Sequence, residues 1–380
     1  MRFSLFSLLC LAASFSMPLV VLKENRIVTG RGVWLFQINP LFAVAAGLLL
    51  ILMAFLLYKG LWRGLQAHLW AFFLFLLIFS VLLHLQQNLS KWDLPAMGRV
   101  SFAGGFWFSL FCIYLLLSWA YRQTDSAVQR YLVVFTPLPL LLLLLFSGVL
   151  QQNSIYLEYV NRQSKFFYEL LKHIKLTLTA VGAAACIGVP VGVMAARYEK
   201  WRDYGFRVVN SIQTIPSLAF FGLMIAPLAL LSRSFPVLRE LGISGIGEAP
   251  ALIALSLYAL LPIVRNTFTG LFYIDQQVKL AAVGMGMNKG QVFRSIELPL
   301  AAPMILTGLR ISLVQTTGNT VVAALIGAGG MGTFIFQGLG QSVPDLILLG
   351  VIPVIILSVF FDRLFFAAEG LLTPKGLRVS

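Results

Sequence analysis

Residues 279–299 read Lys279-Leu280-Ala281-Ala282-Val283-Gly284-Met285-Gly286-Met287-Asn288-Lys289-Gly290-Gln291-Val292-Phe293-Arg294-Ser295-Ile296-Glu297-Leu298-Pro299. Physically this is a helix, a glycine turn and a second helix. The small side chains of Ala281 and Ala282 permit close packing, and Gly286 can take the left-handed conformation that ends a helix. Asn288 then offers an N-cap, with Gln291 three residues later to complete a capping box. Val292, Phe293 and Ile296 share one apolar face, and Pro299 suits the first turn of a following helix. The stretch is therefore an ordered element, too small to be a domain.

Outward from it, the chain is dominated by apolar blocks. Of its 380 residues 59% are hydrophobic and only 11% charged, with mean hydropathy +0.89; soluble domains carry about 25% charged residues. A bilayer crossing needs about 20 mostly apolar residues, and such blocks recur. Ten are expected, near 5–22, 40–58, 68–87, 102–121, 131–150, 174–196, 206–231, 249–264, 301–328 and 346–366. The expected fold class is all-α, a polytopic membrane protein of about ten transmembrane helices. The first block resembles a signal sequence but lacks a small-x-small cleavage site, so it reads as an uncleaved first span.

The net charge of +14 does not point to nucleic acid, because Lys and Arg sit singly between apolar blocks, where charge sets topology. With the N-terminus inside, sixteen Lys and Arg fall in inside segments and eleven outside, leaving Arg310 within a span. Both termini are thus expected in the cytoplasm, although the first outside loop, with Lys23, Arg26 and Arg31, violates the rule. Cys10, Cys112 and Cys186 lie in apolar blocks and imply neither a disulfide nor a metal site. The polar interruption 151–173 suits an interfacial helix or a hydrated linker, and divides the chain into 1–150, 151–172 and 173–380.

Ala281-Ala282, three residues, Gly286, nine residues, then Ile296-Glu297-Leu298-Pro299 resembles the EAA loop of type I ABC importer permeases. In that family the loop, here 271–300, is the coupling element that docks on the ATPase subunit. The resemblance assigns the contact to Leu280, Ala281, Ala282, Gly286, Ile296, Leu298 and Pro299. Leu280 stands where the family usually has Glu, which leaves an apolar contact there. Two further segments resemble permeases for glycine betaine, choline and related osmoprotectants: Gln213-Thr214-Ile215-Pro216-Ser217-Leu218-Ala219, and Gly327-Ala328-Gly329-Gly330-Met331-Gly332. The latter follows the polar run Gln315-Thr316-Thr317-Gly318-Asn319-Thr320. Polar side chains inside a span must face protein or water. Gln213, Thr214, Pro216, Ser217, Gln315, Thr317 and Asn319 are candidates for the translocation path, or they knit helices together. The resemblance runs from about Leu170 to the C-terminus, making that half a type I ABC importer permease core.

The first five blocks carry no such motif; in this respect the chain resembles the longer permease variant of some glycine betaine uptake systems. His68 and His84 are isolated and read as packing or interfacial residues. The C-terminal spans read as nearly free of carboxylates and histidines, which argues against ion coupling, with Arg310 the one deep charge. No Gly-x4-Gly-Lys-Ser/Thr pattern occurs, so ATP hydrolysis requires a partner. The expectation is an importer permease for a small osmolyte, binding no cofactor itself, with ATP and Mg at separate ATPase subunits. Its other expected partners are a second permease copy or paralogue, a periplasmic or surface solute-binding protein, and membrane lipids in the bacterial inner membrane. The alternatives are a permease for an amino acid or other small solute, and a membrane enzyme or scaffold.

Overall fold

The computed structural model describes residues 2–58, 64–95, 97–123, 142–144, 146–240 and 242–372. The chain forms two compact units, Met1–Asn161 and Arg162–Ser380. Seven helical stretches among the described residues are long and apolar enough to cross a membrane: His68–Gln87, Gly104–Arg122, Gln163–Arg197, Ser217–Ser234, Glu248–Phe272, Lys289–Ile326 and Pro344–Leu372. A shorter apolar helix covers Pro40–Leu56. Most of the block expected at 131–150 lies outside the described residues.

The first unit contains α1 (Arg2–Ser16), β1 (Val20–Lys23), β2 (Arg31–Val33), α2 (Leu35–Ile38), α3 (Pro40–Tyr58), α4 (Gly64–Gln87), β3 (Arg99–Phe102), α5 (Gly104–Arg122) and α6 (Ser154–Val160). The first span was expected to run through residue 22, but its helix stops at Ser16. Pro18 and the β-branched pair Val20 and Val21 follow, and they favour extended chain. β1 is the central strand of a small antiparallel sheet, paired with β2 and β3. Sequence periodicity does not reveal this sheet, because three- and four-residue strands carry almost no alternation. Leu11, Leu74, Val81, Cys112 and Leu116 lie in the core of this unit. Cys10 is also buried, whereas Cys186 of the second unit is exposed. His84 packs edge-on against Phe42, with ring centroids 5.6 Å apart.

The second unit contains α7 (Gln163–Arg197), α8 (Glu199–Thr214), α9 (Ser217–Ser234), α10 (Pro236–Glu240), α11 (Glu248–Phe272), α12 (Gln276–Gly284), α13 (Lys289–Val292), α14 (Leu298–Ala323), α15 (Gly332–Gly340) and α16 (Pro344–Leu372). α7 takes up much of the polar segment 151–172 and runs for 35 residues. The expected span 206–231 is broken between α8 and α9, because Pro216 cannot continue the helix and disfavours the helical region for Ile215. α11 lies at the centre, packed on α7 and α14, and α14 packs in turn on α16.

Small residues set these distances. A Cβ on Gly192 of α7 would stand 2.6 Å from Thr267 Cβ and 2.9 Å from the Val264 carbonyl of α11. Gly192→Val should therefore cost about 1–3 kcal/mol through overpacking. A Cβ on Gly182 of the same helix would meet nothing within 4 Å, so Gly182→Ala should match or exceed wild type. Thermal midpoints of the detergent-purified protein check both.

Candidate functional site

The turn at 284–288 forms as the residue pattern predicts. Asp275 caps α12 by accepting from the Gln277 N–H at 2.9 Å. At the other end, Gly286 adopts φ +85° and Met287 N–H donates back to the Ala282 carbonyl at 3.2 Å. Asn288 and Gln291 form the reciprocal capping box, at 2.8 and 3.0 Å. Phe293–Glu297 is a π turn, and α14 begins directly after it. Pro299 lies in the first turn of α14, as expected, but the π turn before it makes the helical run continuous. Its missing N–H leaves the Ser295 carbonyl without the usual partner, and the widened turn accommodates this.

α12 is amphipathic in a particular sense. Ala282 is 1% exposed, whereas Leu280, Val283 and Met285 are 62, 57 and 71% exposed. The element is held by one carboxylate: Glu297 takes Lys279 of α12 at 3.4 Å and Arg197, the last residue of α7, at 3.0 Å. Arg197 also lies over the Phe293 ring at 4.9 Å. Leu280 and Ala281 are on the outside of this arrangement, Ile296 is half-buried, and Leu298 and Pro299 open α14.

The break at 215–216 is organised around Tyr258. Pro262 of α11 has no N–H, so the Tyr258 carbonyl loses its helical donor; Gln213 Nε2 supplies one at 2.9 Å. The Tyr258 hydroxyl donates in return to the Ile215 carbonyl. Thr214 spends its hydroxyl on the Ser211 carbonyl, and Ser217 begins α9 after Pro216.

On α14 the polar run divides between two faces. Thr316, Thr317 and Thr320 are buried, whereas Gln315 is exposed and Asn319, one turn later, is half-buried. Thr317 donates to the Leu313 carbonyl at 2.7 Å. Thr320 donates to the Thr316 carbonyl at 2.8 Å, so the Thr177 hydroxyl must be the donor in its 3.1 Å bond with Thr320. The hydrogen bonds of the 213–217 break run to α8 and α11, and those of the buried threonines to α7 and to α14 itself. Both regions border the cluster that includes Phe220, Tyr258 and Ala323.

The buried polar residues that sequence reasoning missed lie on α7. Glu169, His173 and Thr177 form a polar stripe one turn apart, all buried. Glu169 accepts the Gly330 N–H at 2.6 Å and His173 Nδ1 accepts the Met331 N–H at 3.3 Å. A backbone N–H can only donate, so the ring proton is on Nε2, which donates to the Thr317 carbonyl at 3.0 Å. The stripe ties α7 both to α14 and to a glycine loop in which Gly327, Gly329 and Gly330 have φ of +80°, +76° and +85°. The i, i+4, i+8 spacing is the available signal, hidden because these residues fall in or beside the polar interruption. Glu169 and His173 precede the apolar block 174–196 on the same 35-residue helix. Arg310 is likewise paired, with Glu369 at 3.3 Å and Asp362 at 3.6 Å.

Removing the Glu169 acceptor leaves a buried N–H unpaired. Glu169→Ala should cost about 1–3 kcal/mol and speed amide exchange across 327–332, measured by mass spectrometry. Glu169→Gln keeps a carbonyl oxygen there and should lie closer to wild type.

Comparison with known proteins bears on what this arrangement is for. Residues 188–375 match the family described as "Binding-protein-dependent transport system inner membrane component", and residues 2–156 match the "ABC transporter permease YehY, N-terminal domain". The chain is 37% identical over 214 residues to the choline transport system permease protein OpuBB of Bacillus subtilis, covering 56% of this chain and 91% of that protein. It is 37% identical over 207 residues to the osmoprotectant import permease protein OsmW of Salmonella typhimurium, covering 54% and 91%. A chain of the MetNI methionine ABC transporter in an inward-facing crystal form aligns with TM-score 0.47 at 22% identity, covering 55% of this chain and 96% of that chain. The chain belongs to the binding-protein-dependent transport system inner membrane component family of ABC permeases, and carries ahead of that core the N-terminal domain of the long permease variant.

Proposed function

We propose that the chain is the transmembrane permease of an ATP-driven importer for a small osmolyte, glycine betaine or a related quaternary ammonium compound. The observation that carries the substrate class is the match to 91% of a choline permease and 91% of an osmoprotectant permease. The Gln213–Ala219 and Gly327–Gly332 segments support the same class.

In this reading 271–300 is the coupling loop. Leu280, Val283 and Met285 present an exposed apolar face that suits a groove on a partner ATPase. The Glu297 clamp then passes a displacement of α12 to the end of α7 and to the base of α14. Movement of those helices against α11 would alternate access to a path along the exposed Gln315 and Asn319 face. Thr214, Pro216 and Ser217 form the second candidate wall; buried Thr317 and Tyr258-bound Gln213 hold the helices in register. The chain binds no cofactor itself, and ATP and Mg belong to separate ATPase subunits. A second permease copy or paralogue completes the pathway, and a solute-binding protein delivers substrate on the outer side. Segments 1–150, 151–172 and 173–380 act as membrane block, connector and transport core, with both termini cytoplasmic in the inner membrane.

The test is ATP-dependent uptake of labelled glycine betaine in proteoliposomes containing the complete complex. A Cβ on Gly286 meets nothing within 4 Å, so a substitution there acts through the backbone alone. Gly286→Ala should weaken the turn by about 1–2 kcal/mol, and Gly286→Pro, which cannot reach positive φ, should abolish uptake. Leu280→Asp should release the ATPase in pull-downs while leaving the thermal midpoint of the permease unchanged. Uptake that persists in Gly286→Pro would overturn the coupling assignment, and import of another solute in place of betaine would overturn the substrate.

A further inference from the structure

The first unit contains an organised charge cluster for which the transport reading has no use. Glu158 of α6 is 1% exposed and accepts two guanidinium bonds on one oxygen, from Arg26 Nε and Arg99 Nη1, each at 2.7 Å. Arg26 follows β1 and Arg99 opens β3, so three segments distant in sequence meet at one carboxylate. Arg26 is among the residues that violate the charge rule for outside loops. Here it is a fixed partner in a folded site rather than a topology signal.

Beside the cluster is a cavity of about 480 Å³, lined by Asn25, Arg26, Ile27, Val28, Met97, Gly98, Arg99 and Leu157. Small-molecule pockets occupy roughly 300–1,000 Å³ and are mostly apolar with a few convergent polar groups. The two charged lining residues are both arginines, and among the described residues no carboxylate lines the space. Arg26 Nη2 is shut off from solvent and has no hydrogen-bond partner among the described residues. Since Nη2 is sealed, the chamber meets only the remaining, partly exposed parts of the Arg26 and Arg99 side chains. Two guanidinium groups lining an apolar space match one ligand group best, a carboxylate held by charge-assisted bonds. The loop is preorganised to present Arg26, since the Asn25 side chain accepts from the N–H groups of Ile27 and Val28 at 2.9 and 3.0 Å.

We infer that the N-terminal unit carries a binding site for a small organic carboxylate with an apolar or methylated body. The carboxylate meets Arg26 and Arg99, and the body packs on Ile27, Val28, Met97 and Leu157. The site is built from residues of the first unit alone and rests on the proposed function only for the choice of glycine betaine as a probe.

The experiment is calorimetric titration of the full chain, purified in detergent without ATPase or binding protein. The probes are glycine betaine, its uncharged-bodied isostere 3,3-dimethylbutanoate, and choline, which lacks the carboxylate. Both carboxylates should bind saturably and protect 24–28 and 97–101 from amide exchange, and choline should do neither. Arg26→Gln leaves Glu158 paired with Arg99 and should weaken binding by roughly tenfold or more. Met97 is 78% exposed, so Met97→Trp should fill the chamber and abolish binding without shifting the thermal midpoint. Binding of choline equal to that of the carboxylates, binding indifferent to both substitutions, or no saturable binding would overturn the site. A chain that binds here while its complex fails to import betaine would retain the site and lose the transport substrate; the converse would do the reverse.

Discussion

The constraint on which the second unit depends is that backbone leaving a helix inside a membrane protein must still find hydrogen-bond partners. After α14 the chain enters a loop with three left-handed glycines, a conformation that cannot continue a ladder. Glu169 and His173 of α7 take the exposed N–H groups of Gly330 and Met331, and Gly247 N–H donates to the Ile326 carbonyl at 2.8 Å. The loop can therefore be irregular and ordered together. Any side chain at Gly329 or Gly330 would meet Glu169 or His173 within about 3 Å as well as face an unfavourable φ. Glycine is required there on both counts.

The same logic recurs wherever proline removes a donor. Pro262 frees the Tyr258 carbonyl, Gln213 fills the vacancy, and the Tyr258 hydroxyl closes the break before Pro216. Pro299 removes a donor at the base of α14, and a π turn absorbs the consequence. The break at 215–216 and the π turn fall at helix ends, whereas Pro262 lies in the middle of α11. Regular helices alone would make a stiffer bundle.

The first unit solves a different problem. Its helices pack through a common apolar core, while its connecting segments form a small sheet and converge on Glu158. A carboxylate buried to 1% exposure is tolerable only when paired and hydrogen-bonded. Two arginines do this, and both also line the neighbouring cavity. Order in these segments thus comes from a polar cluster as well as from apolar burial.

Much was legible in the residues alone. Long apolar blocks in a chain with 11% charge admit only a polytopic membrane protein, and the helix-turn-helix at 279–299 was readable because capping and glycine turns act over four or five residues. The Asn288–Gln291 box and the positive φ of Gly286 are local events. Pro216 encodes the break at 215–216 locally, but tertiary structure alone determined its bonding to Tyr258, the division of α14 into a buried threonine face and an exposed Gln315 face, and the pairing of Arg26 and Arg99 with Glu158. It also decided that Glu169 and His173, which read as part of a polar interruption, hold the glycine loop. Local sequence encodes which backbone conformations are cheap. Which donor meets which acceptor depends on helices far apart in the chain, because a buried polar group takes whatever partner packing brings within about 3 Å.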